Sequence, residues 1–299
     1  MPADCPICGE PGDAFVRVRG YDVRRCRGCR HRFVDYEAPA DHCARVYRDD
    51  YFAGDPGGYP DYTSEEGILR AQGRRYANLV ARYLQPSRML DVGAAAGFLL
   101  SAFVEAGWSG SGLEPNRQMA EYGRRRFGLH VIEGSLEHLV APDAFDLVTM
   151  IQVVGHFVSP RAALASAARV TRPRGCWLIE TWDPDSWTAR LLGRHWHELN
   201  PPSVLHVFPR SVLESLAGEF GFKVVARGRP VKRIDGAHAK ALVRHSLRAV
   251  AGARALAAIL DRIVPDRAVL PYPSEDLYWT LFRRGERRSS QPLSRAALA

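Results

Sequence analysis

The sequence predicts an α/β fold in which strands alternate with helices around a parallel or mixed sheet. Short apolar runs, such as residues 89–92 and 144–151, have the length and composition of strands that are buried on both faces. The segments between them repeat apolar residues at helical spacing. A chain of 299 residues, 46% of them hydrophobic, is long enough to bury such a core and to carry a small additional module.

The net charge of +8 is concentrated in the last quarter of the chain. Residues 223–299 contain 16 basic and 6 acidic side chains, whereas the first 50 residues contain 9 of each. Arg244, Arg248 and Arg262 alternate with an apolar helical stripe, which favours a solvated helix face over a patch for polyanions or membranes. The chain begins without a basic and apolar leader and has no apolar run of membrane-spanning length, so a cytoplasmic protein is expected.

Two Cys-x-x-Cys pairs mark residues 1–35 as a small metal-binding module. The pairs are separated by 17 residues and consist of Cys5, Cys8, Cys26 and Cys29. This spacing is typical of a closed tetrahedral zinc site, and the residues between the pairs predict a hairpin that turns at Gly20. A zinc ribbon with a structural Zn²⁺ is therefore predicted, since so short a stretch needs metal binding to fold. Disulfides are the alternative, but they belong to secreted proteins. The ribbon either shapes the substrate site or binds RNA, and the even charge balance favours the first role.

Residues 36–85 are predicted to form an aromatic loop followed by a lid helix. The loop is rich in Tyr, Asp, Pro and Gly, which excludes a regular element, and its aromatic content argues against disorder. Apolar residues then keep one helical face as far as residue 84. Because this helix precedes a buried strand, the segment can cover a ligand there, with Tyr59 and Tyr62 facing it. Packing of the cysteine module onto the core is the alternative role for both tyrosines.

A tight turn follows the first strand of the large domain, which is predicted to span residues 86–286. Gly93 and Gly97 bracket the turn, and an apolar helical pattern begins at Phe98. A strand, a glycine turn and a helix N-terminus together present backbone N–H groups to a ligand. A dinucleotide-binding turn requires Gly-x-Gly-x-x-Gly, but Ala95 occupies the middle position here, so a dehydrogenase is disfavoured.

Two acidic residues flank this turn in the sequence. Asp91 lies two residues before Gly93, where its carboxylate can bind a cationic amine and order the loop. Glu114 ends the next predicted strand about 20 residues beyond the turn, where an acidic side chain can accept hydrogen bonds from both hydroxyls of a ribose. An ordinary surface glutamate is the alternative for Glu114, but the strand–turn–helix–strand context favours the ribose role.

The remaining pattern completes the alternation of strands and helices. Further strands are predicted at 131–133, 144–151, 176–182, 222–226 and 277–282, and helices at 116–127, 164–170 and 239–264. A turn is predicted at 172–175 and a frayed tail at 287–299. Because the strands alternate with helices, a ligand is expected at the carboxyl ends of the strands.

Together these stretches resemble one broad bacterial family, the zinc-ribbon-containing class I methyltransferases. Members use S-adenosyl-L-methionine (SAM) and act on small molecules in biosynthetic pathways. The resembling stretches are the paired cysteines and residues 51–62, 90–99, 112–115, 145–148, 172–175 and 205–208. The resemblance implies a seven-stranded Rossmann-like sheet with helices on both faces, and SAM as the cofactor. It identifies the reaction more firmly than the acceptor.

The resemblance also implies a set of cofactor-binding residues. In this family the acid at the position of Asp91 lies near the methionine moiety of SAM. The acid at Glu114 binds the ribose, and Ser135 or Leu136 flanks the adenine. The predicted set is completed by residues of the turn, the strand ends and the lid: Gly93, Ala95, Gly97, Phe98, Pro115, Ile151, Tyr59 and Tyr62.

Histidines are the predicted catalytic residues. Methyl transfer is an in-line displacement that requires orientation of the acceptor, and a hydroxyl acceptor must also lose its proton. Histidine can accept that proton at neutral pH, so His156 and His206 are the candidate bases, with Gln152 orienting the acceptor. The family places an acid at the position of Gln152 and a glutamate at Gly155, and the chain departs from it at both. Two further histidines, His195 and His197, are candidates for lining the acceptor pocket.

Several activities remain compatible with these residues. The leading prediction is methyl transfer to a hydroxyl oxygen of a small molecule. The alternatives are methylation of an rRNA or tRNA base, C-methylation of a sugar, and SAM binding without catalysis. The fourth strand is not followed by the Asn/Asp-Pro-Pro-Tyr/Phe or Pro-Cys sequences of adenine and cytosine methyltransferases. A nucleic-acid partner is therefore not the expected one, a membrane partner is not expected, and the oligomeric state is not predicted.

Overall fold

A computed structural model describes residues 3–54, 59, 61–139, 142–237, 239–240, 262–272 and 274–286. Most of the helix predicted at 239–264 and the whole of the tail at 287–299 lie outside these described residues.

The N-terminal segment begins with three antiparallel strands. They are β1 (Gly12–Val18), β2 (Tyr21–Cys26) and β3 (Arg32–Val34). Gly20 has a φ of +87°, a backbone conformation that favours glycine, which confirms the predicted hairpin turn. After helix α1 (His42–Val46) the chain forms two short 3₁₀ turns and then helix α2 (Glu66–Val80), the predicted lid helix.

The rest of the chain alternates strands with helices. In chain order it contains β4 (Arg88–Val92), α3 (Phe98–Glu105), β5 (Ser109–Glu114), α4 (Arg117–Phe127), β6 (His130–Glu133), β7 (Phe145–Ile151), α5 (Pro160–Val170), β8 (Thr171–Trp182), α6 (Trp187–Leu192), β9 (His206–Val207), α7 (Arg210–Glu219), β10 (Phe222–Gly228), β11 (Lys232–Asp235), β12 (Val269–Tyr272) and β13 (Leu277–Arg284). The main sheet has the order β10-β13-β8-β7-β4-β5-β6, and β11 pairs with β12 separately. Strands β4 to β8 are parallel to one another, while β13 runs antiparallel to β8 and β10. The predicted seven-stranded α/β sheet is thereby confirmed.

Both faces of the main sheet are covered by helices. Consecutive strand residues point to opposite faces, so Met89 packs with α2 and α3 while Leu90 packs with α5 and α7. Both side chains are fully buried, as are their neighbours on β7, Leu147 and Val148. Burial on both faces explains why the strands are continuous apolar runs in the sequence.

The prediction that residues 172–175 form a turn before the next strand is wrong. Strand β8 already begins at Thr171, and these residues form part of it. The pairing with β7 nevertheless shifts here, from Phe145 opposite Thr171 to Leu147 opposite Cys176. Arg174 has a φ of +65°, so the Pro and Gly of this segment mark an irregularity inside the strand.

The N-terminal strands are joined to the large sheet by backbone pairing and by an arginine. Strand β9 extends the small sheet to the order β1-β2-β3-β9, with Phe33 opposite His206. Arg161 on α5 donates from Nε to the carbonyl oxygen of Ile7 over 2.8 Å and from Nη1 to Glu219 over 2.7 Å. Within the described residues no helix has the length and apolar character needed to cross a membrane.

Candidate cofactor and acceptor site

The candidate site lies at the carboxyl edge of the parallel strands. Strands β4, β5, β7 and β8 run in the same direction, so their carboxyl ends meet along one edge of the sheet. Asp91, Glu114 and Ile151, predicted cofactor-binding residues, lie at or next to the ends of β4, β5 and β7. The topology therefore brings residues from three separate segments of the sequence to one edge, as parallel sheets of this kind do.

The glycine turn is pinned to strand β5 by its backbone. The N–H groups of Gly93 and Ala94 both donate to the carbonyl oxygen of Leu113, over 2.8 and 3.1 Å. Gly93 has a φ of +70°, and a Cβ there would lie 2.6 Å from Cγ2 of Val153. The turn is thus packed directly against the residues that follow β7, and Gly93 is required both by its conformation and by this close approach.

Glu114 closes the other side of the turn. One carboxylate oxygen accepts from the N–H of Ala95 and the other from the N–H of Asn116, each over 2.8 Å. The side chain is buried, and burial raises the pKa of its carboxyl to about 7, although the two N–H groups oppose this shift. A carboxylate oxygen has a second lone pair, so both oxygens can also accept hydrogen bonds from a ligand hydroxyl.

Asp91 is the second buried carboxyl at this edge. It accepts a hydrogen bond from Oγ1 of Thr149 on β7 over 2.6 Å. Burial raises the pKa of Asp91 to about 7, and the hydrogen bond from Thr149 opposes the shift. Asp91 and Glu114 are close enough for the charge of Asp91 to contribute to the raised pKa of Glu114. A cationic ligand group between them would relieve the cost of two buried acids.

Aromatic side chains of the loop before α2 lie against the glycine turn. The ring of Tyr62 stacks on Phe98, the first residue of α3, with centroids 5.5 Å apart and planes 12° apart. Tyr59 meets the edge of Tyr62 at 4.9 Å. Burial raises the pKa of both tyrosines, so their hydroxyls are neutral at physiological pH. The loop thus packs against the first turn of α3, where a lid would lie.

The remaining predicted cofactor residues lie near the ends of β5 and β6. Pro115 directly follows Glu114, and Ser135 and Leu136 follow β6. Leu136 is buried in the core, whereas the hydroxyl of Ser135 lies 3.0 Å from Nδ1 of His138 at the surface.

His156 ends a short 3₁₀ turn after β7 and belongs to a partly buried group of polar residues. Its Nδ1 lies 2.8 Å from the carbonyl oxygen of Ser203 and 2.9 Å from the hydroxyl of Tyr47. A carbonyl only accepts, so Nδ1 carries the proton, and the Tyr47 hydroxyl donates to the same carbonyl over 3.1 Å. Burial lowers the pKa of His156, while the backbone carbonyls of Ser203 and Gln152 raise it. The imidazole is therefore neutral at pH 7 and next to groups that would stabilise its protonated form.

Tyr47 was missed by the sequence reasoning. It stood in an aromatic run, but its contact with His156 joins residues 109 positions apart, and local spacing does not reveal such a pair.

His206 lies in different surroundings. It belongs to β9 and stacks on His31 with centroids 5.2 Å apart, and His31 in turn stacks on Phe208 at 4.6 Å. Burial lowers the pKa of His206 to about 4. Its described contacts thus belong to the interface between the small sheet and the large one. Of the other two predicted histidines, His195 is exposed and His197 lies 3.1 Å from a carboxylate oxygen of Glu198.

The departure from the family pattern at Gly155 has a steric cause. A Cβ on Gly155 would lie 2.7 Å from the carbonyl oxygen of His206 and 2.7 Å from the indole of Trp182. The N–H of Leu205 donates to the Gly155 carbonyl over 2.9 Å, which holds the two segments together. Glutamate cannot occupy this position while β9 lies there.

Gln152 is paired with an acid that the sequence reasoning did not single out. Its side-chain Nε2 donates to Glu180 on β8 over 2.8 Å, and its backbone N–H donates to the Glu180 carbonyl over the same distance. Glu180 is fully buried and also accepts from the hydroxyl of Tyr76 on α2. The sequence does distinguish Glu180 in one respect, because it is the single charged residue in the predicted strand at 176–182.

The four predicted metal ligands are brought together in the N-terminal module. Cys5 and Cys29 have sulfur atoms 3.8 Å apart, Cys8 and Cys26 are 3.4 Å apart, and Cys8 and Cys29 are 3.5 Å apart. All four sulfur atoms lie within 4.8 Å of one another. With Zn–S bonds of about 2.3 Å, a tetrahedral site has sulfur atoms about 3.8 Å apart, so the cluster fits zinc.

Comparison with protein families decides which class of α/β protein this is. A model of the methyltransferase domain family matches residues 68–227, more than half of the 299-residue chain. The chain belongs to this family. The predicted class of enzyme, a SAM-dependent methyltransferase, is thereby confirmed.

Curated relatives of this methyltransferase include two ubiquinone biosynthesis O-methyltransferases. The one from Idiomarina loihiensis is 25% identical over 156 residues, which cover 44% of this chain and 63% of the relative. The one from Stutzerimonas stutzeri is 23% identical over 175 residues, which cover 54% of this chain and 72% of the relative. The chain thus spans less than two thirds of the length of the Idiomarina protein.

Solved structures share the fold at lower identity. The 1,6-didemethyltoxoflavin-N1-methyltransferase of Burkholderia thailandensis was solved with 1,6-didemethyltoxoflavin and S-adenosylhomocysteine. It aligns with a TM-score of 0.54 and 17% identity over 92% of this chain and all of that one. A SAM-dependent methyltransferase from Archaeoglobus fulgidus aligns with a TM-score of 0.52 and 15% identity over 79% of this chain and 97% of that one. The Rossmann-like methyltransferase fold predicted from the sequence is confirmed.

Proposed function

We propose that the protein transfers a methyl group from SAM to a hydroxyl oxygen of a small molecule. The main support for the proposal is a pair of buried carboxyl groups, those of Asp91 and Glu114. They lie on either side of a turn whose backbone is hydrogen-bonded to β5. The O-methyltransferase names of the curated relatives support oxygen as the methylated atom.

Four of the predicted cofactor residues have a specific task in this proposal. Asp91 would accept hydrogen bonds from the methionine amine, and Glu114 would accept them from the ribose hydroxyls while keeping the N–H of Ala95. Tyr62 and Phe98 would shield the cofactor from water. When bound, SAM supplies a methyl group that its sulfonium already activates for displacement. The protein must therefore orient the acceptor and remove its proton.

His156 is proposed as the proton acceptor. Its Nδ1–H is held by the Ser203 carbonyl, which leaves Nε2 with the basic lone pair. The carbonyls of Ser203 and Gln152 would stabilise the imidazolium after proton transfer. His206 remains a prediction, but its stacking on His31 supports a structural role instead.

Replacement of His156 tests this assignment. We expect His156→Ala to lower kcat by about 100-fold, the typical contribution of a general base, while the SAM dissociation constant changes less than about threefold. Tyr47→Phe should lower kcat less, because the Ser203 carbonyl still holds Nδ1. His130→Ala, at an exposed histidine that begins β6, is the matched control and should keep full activity. Turnover by His156→Ala at the wild-type rate would remove this histidine from the mechanism.

The raised pKa values of the two carboxyls predict a pH dependence of cofactor binding. Folding raises the pKa of Asp91 and Glu114 to about 7 from ordinary values of 3.8 and 4.5, so the ligand-free fold gains stability from these groups as pH falls through 7. Cofactor binding needs the ionised forms and follows the opposite direction. Affinity for S-adenosylhomocysteine should weaken by about 10-fold or more from pH 8 to pH 6, measured by calorimetry at constant ionic strength. Equal affinity at both pH values would contradict the proposed roles.

We infer that Cys5, Cys8, Cys26 and Cys29 hold a structural Zn²⁺. Their sulfur atoms have the separation that tetrahedral zinc requires, and the module is too small to fold on an apolar core alone. The proposed division of the chain is a ribbon at 1–35, a loop and lid helix at 36–85 and the SAM-binding domain at 86–286.

The function itself is tested with radiolabelled SAM. Zinc-loaded protein is incubated with methyl-labelled SAM and a panel of hydroxylated aromatic compounds, including catechol and caffeate, and in parallel with total RNA. A product that is heavier by one methylene unit, with the label on oxygen, is the expected result. Label in RNA, with salt-dependent RNA binding that is lost with residues 1–35, would replace the proposal by RNA methylation. SAM binding without methyl transfer to any acceptor would instead indicate a protein that binds SAM without catalysis. A cytoplasmic location stays a prediction.

A further inference from the structure

Glu180 is a buried acid that the proposed mechanism does not use. Burying a carboxyl group is unfavourable unless hydrogen bonds replace water, and Glu180 is the single charged residue of strand β8 between Cys176 and Trp182. Glu180 has no exposed surface. The carboxyl group of Glu180 therefore depends on hydrogen-bond donors from its neighbours.

Three of the side chains that donate to the carboxyl group of Glu180 come from α2 and from the residue directly after β7. The Nε2 of Gln72 lies 3.3 Å from Oε2, and the hydroxyl of Tyr76 donates to the same oxygen. Both come from the lid helix α2. The third donor is Nε2 of Gln152, 2.8 Å from Oε1, at the end of β7. Glu180 therefore joins the lid helix to the carboxyl edge of the sheet.

Gln152 is in a conformation that needs such support. Its φ of +57° lies in the left-handed region, which is unfavourable for residues other than glycine. Glu180 is hydrogen-bonded to both the backbone and the side chain of Gln152. Its carbonyl oxygen accepts from the Gln152 N–H, and its carboxyl group accepts from the Gln152 side-chain amide. Strain that is held in place by neighbours is common at functional sites.

The left-handed turn determines where the following residues lie. Val153 is directed against Gly93 of the cofactor turn, and a Cβ on Gly93 would lie 2.6 Å from its Cγ2. Three residues later, His156 reaches Tyr47 and the Ser203 carbonyl. A change in Gln152 would therefore affect the cofactor turn on one side and the candidate base on the other.

We propose that Glu180 is a positioning residue for methyl transfer, which fixes Gln152 so that the amide and His156 face the acceptor. In this interpretation, Glu180 on β8 takes the place of the acid that the family pattern has at position 152. The proposal rests on the proposed function, because it assumes that the acceptor lies at this edge of the sheet.

A double-mutant cycle between Gln152 and Glu180 tests the inference. Glu180→Gln and Gln152→Ala should each lower kcat by about 10-fold, and the double variant Gln152→Ala/Glu180→Gln should lose less than twofold more, because the second change has no partner to act through. The dissociation constant of S-adenosylhomocysteine and the melting temperature are measured for each variant. A purely structural role for Glu180 would lower the melting temperature and leave kcat of the folded fraction unchanged, which would overturn the inference.

Exchanging the two side chains gives a rescue experiment. Gln152→Glu alone places two carboxyls side by side and should lower kcat by 10-fold or more. The exchange variant Gln152→Glu/Glu180→Gln again pairs an amide with a carboxyl, and its kcat should recover to within about fivefold of wild type. This exchange variant still tests the coupling between the two side chains if Glu180→Gln alone fails to fold. Losses that multiply across folded variants, without recovery on exchange, would refute the coupling. A wild-type protein without turnover would instead refute the proposed function.

Discussion

Replacing Glu114 by alanine is expected to weaken SAM binding by about 1,000-fold or more. The substitution removes the proposed acceptor for the ribose hydroxyls and leaves the N–H groups of Ala95 and Asn116 without the acceptor they have in the ligand-free protein. Hydrogen bonds to a charged group contribute about 1.5–3 kcal/mol each, and about 1.4 kcal/mol corresponds to a factor of ten in affinity. Two such bonds to the ribose, together with a less ordered turn, account for the expected loss. Calorimetry with SAM and with S-adenosylhomocysteine measures it.

A matched control separates this effect from a general loss of negative charge. Glu133 lies directly opposite Glu114 on the neighbouring strand β6, but its side chain is exposed. Glu133→Ala should therefore leave SAM affinity within about twofold of wild type. Asp91→Ala, at the other end of the turn, should weaken SAM binding to a similar extent as Glu114→Ala. Neither change should release zinc, because both residues lie outside the ribbon. Unchanged affinity in both variants would rule out the proposed cofactor site.

The parts of the fold that were predicted correctly are those encoded by local spacing. A buried parallel strand must be apolar on both faces, which made β4 and β7 visible as runs in the sequence. The turn after β4 requires a positive φ at Gly93, and close packing against Val153 excludes a side chain there. Glycine is therefore part of the local sequence signal. The irregularity at Arg174 was misread as a turn because the same residue types serve both turns and strand bulges.

The parts that were missed depend on contacts between distant segments. Tyr76 and Glu180 are separated by 104 positions, and Tyr47 and Ser203 by 156. No periodicity in the sequence relates such residues. The different surroundings of His156 and His206 have the same origin, because the pairing of β3 with β9 places His206 beside His31. Gly155 appeared as the loss of an acid, whereas the structure shows that β9 leaves no space for a side chain.

Removing one of the proposed zinc ligands is expected to abolish turnover while SAM still binds. Zinc contributes about 10–16 kcal/mol to the folding of small zinc modules, so Cys26→Ser should unfold the ribbon. Strand β9 would then lose its pairing with β3, and the N–H of Val34 would no longer donate to the Leu205 carbonyl. Leu205 in turn holds Gly155, the neighbour of His156. The acceptor side of the site therefore depends on the ribbon through backbone hydrogen bonds.

The two proposed cofactor carboxyls accept no hydrogen bond from the ribbon among the described contacts. Asp91 and Glu114 are held by Thr149 and by backbone N–H groups of the turn and of Asn116, all within the large sheet and its loops. The SAM dissociation constant of Cys26→Ser should consequently stay within about threefold of wild type, while zinc content by atomic absorption falls from one per chain toward zero. Cys43→Ser, a thiol outside the cluster, is the control and should keep both zinc and activity. Full turnover by a zinc-free Cys26→Ser protein would show that the ribbon does not position the acceptor side.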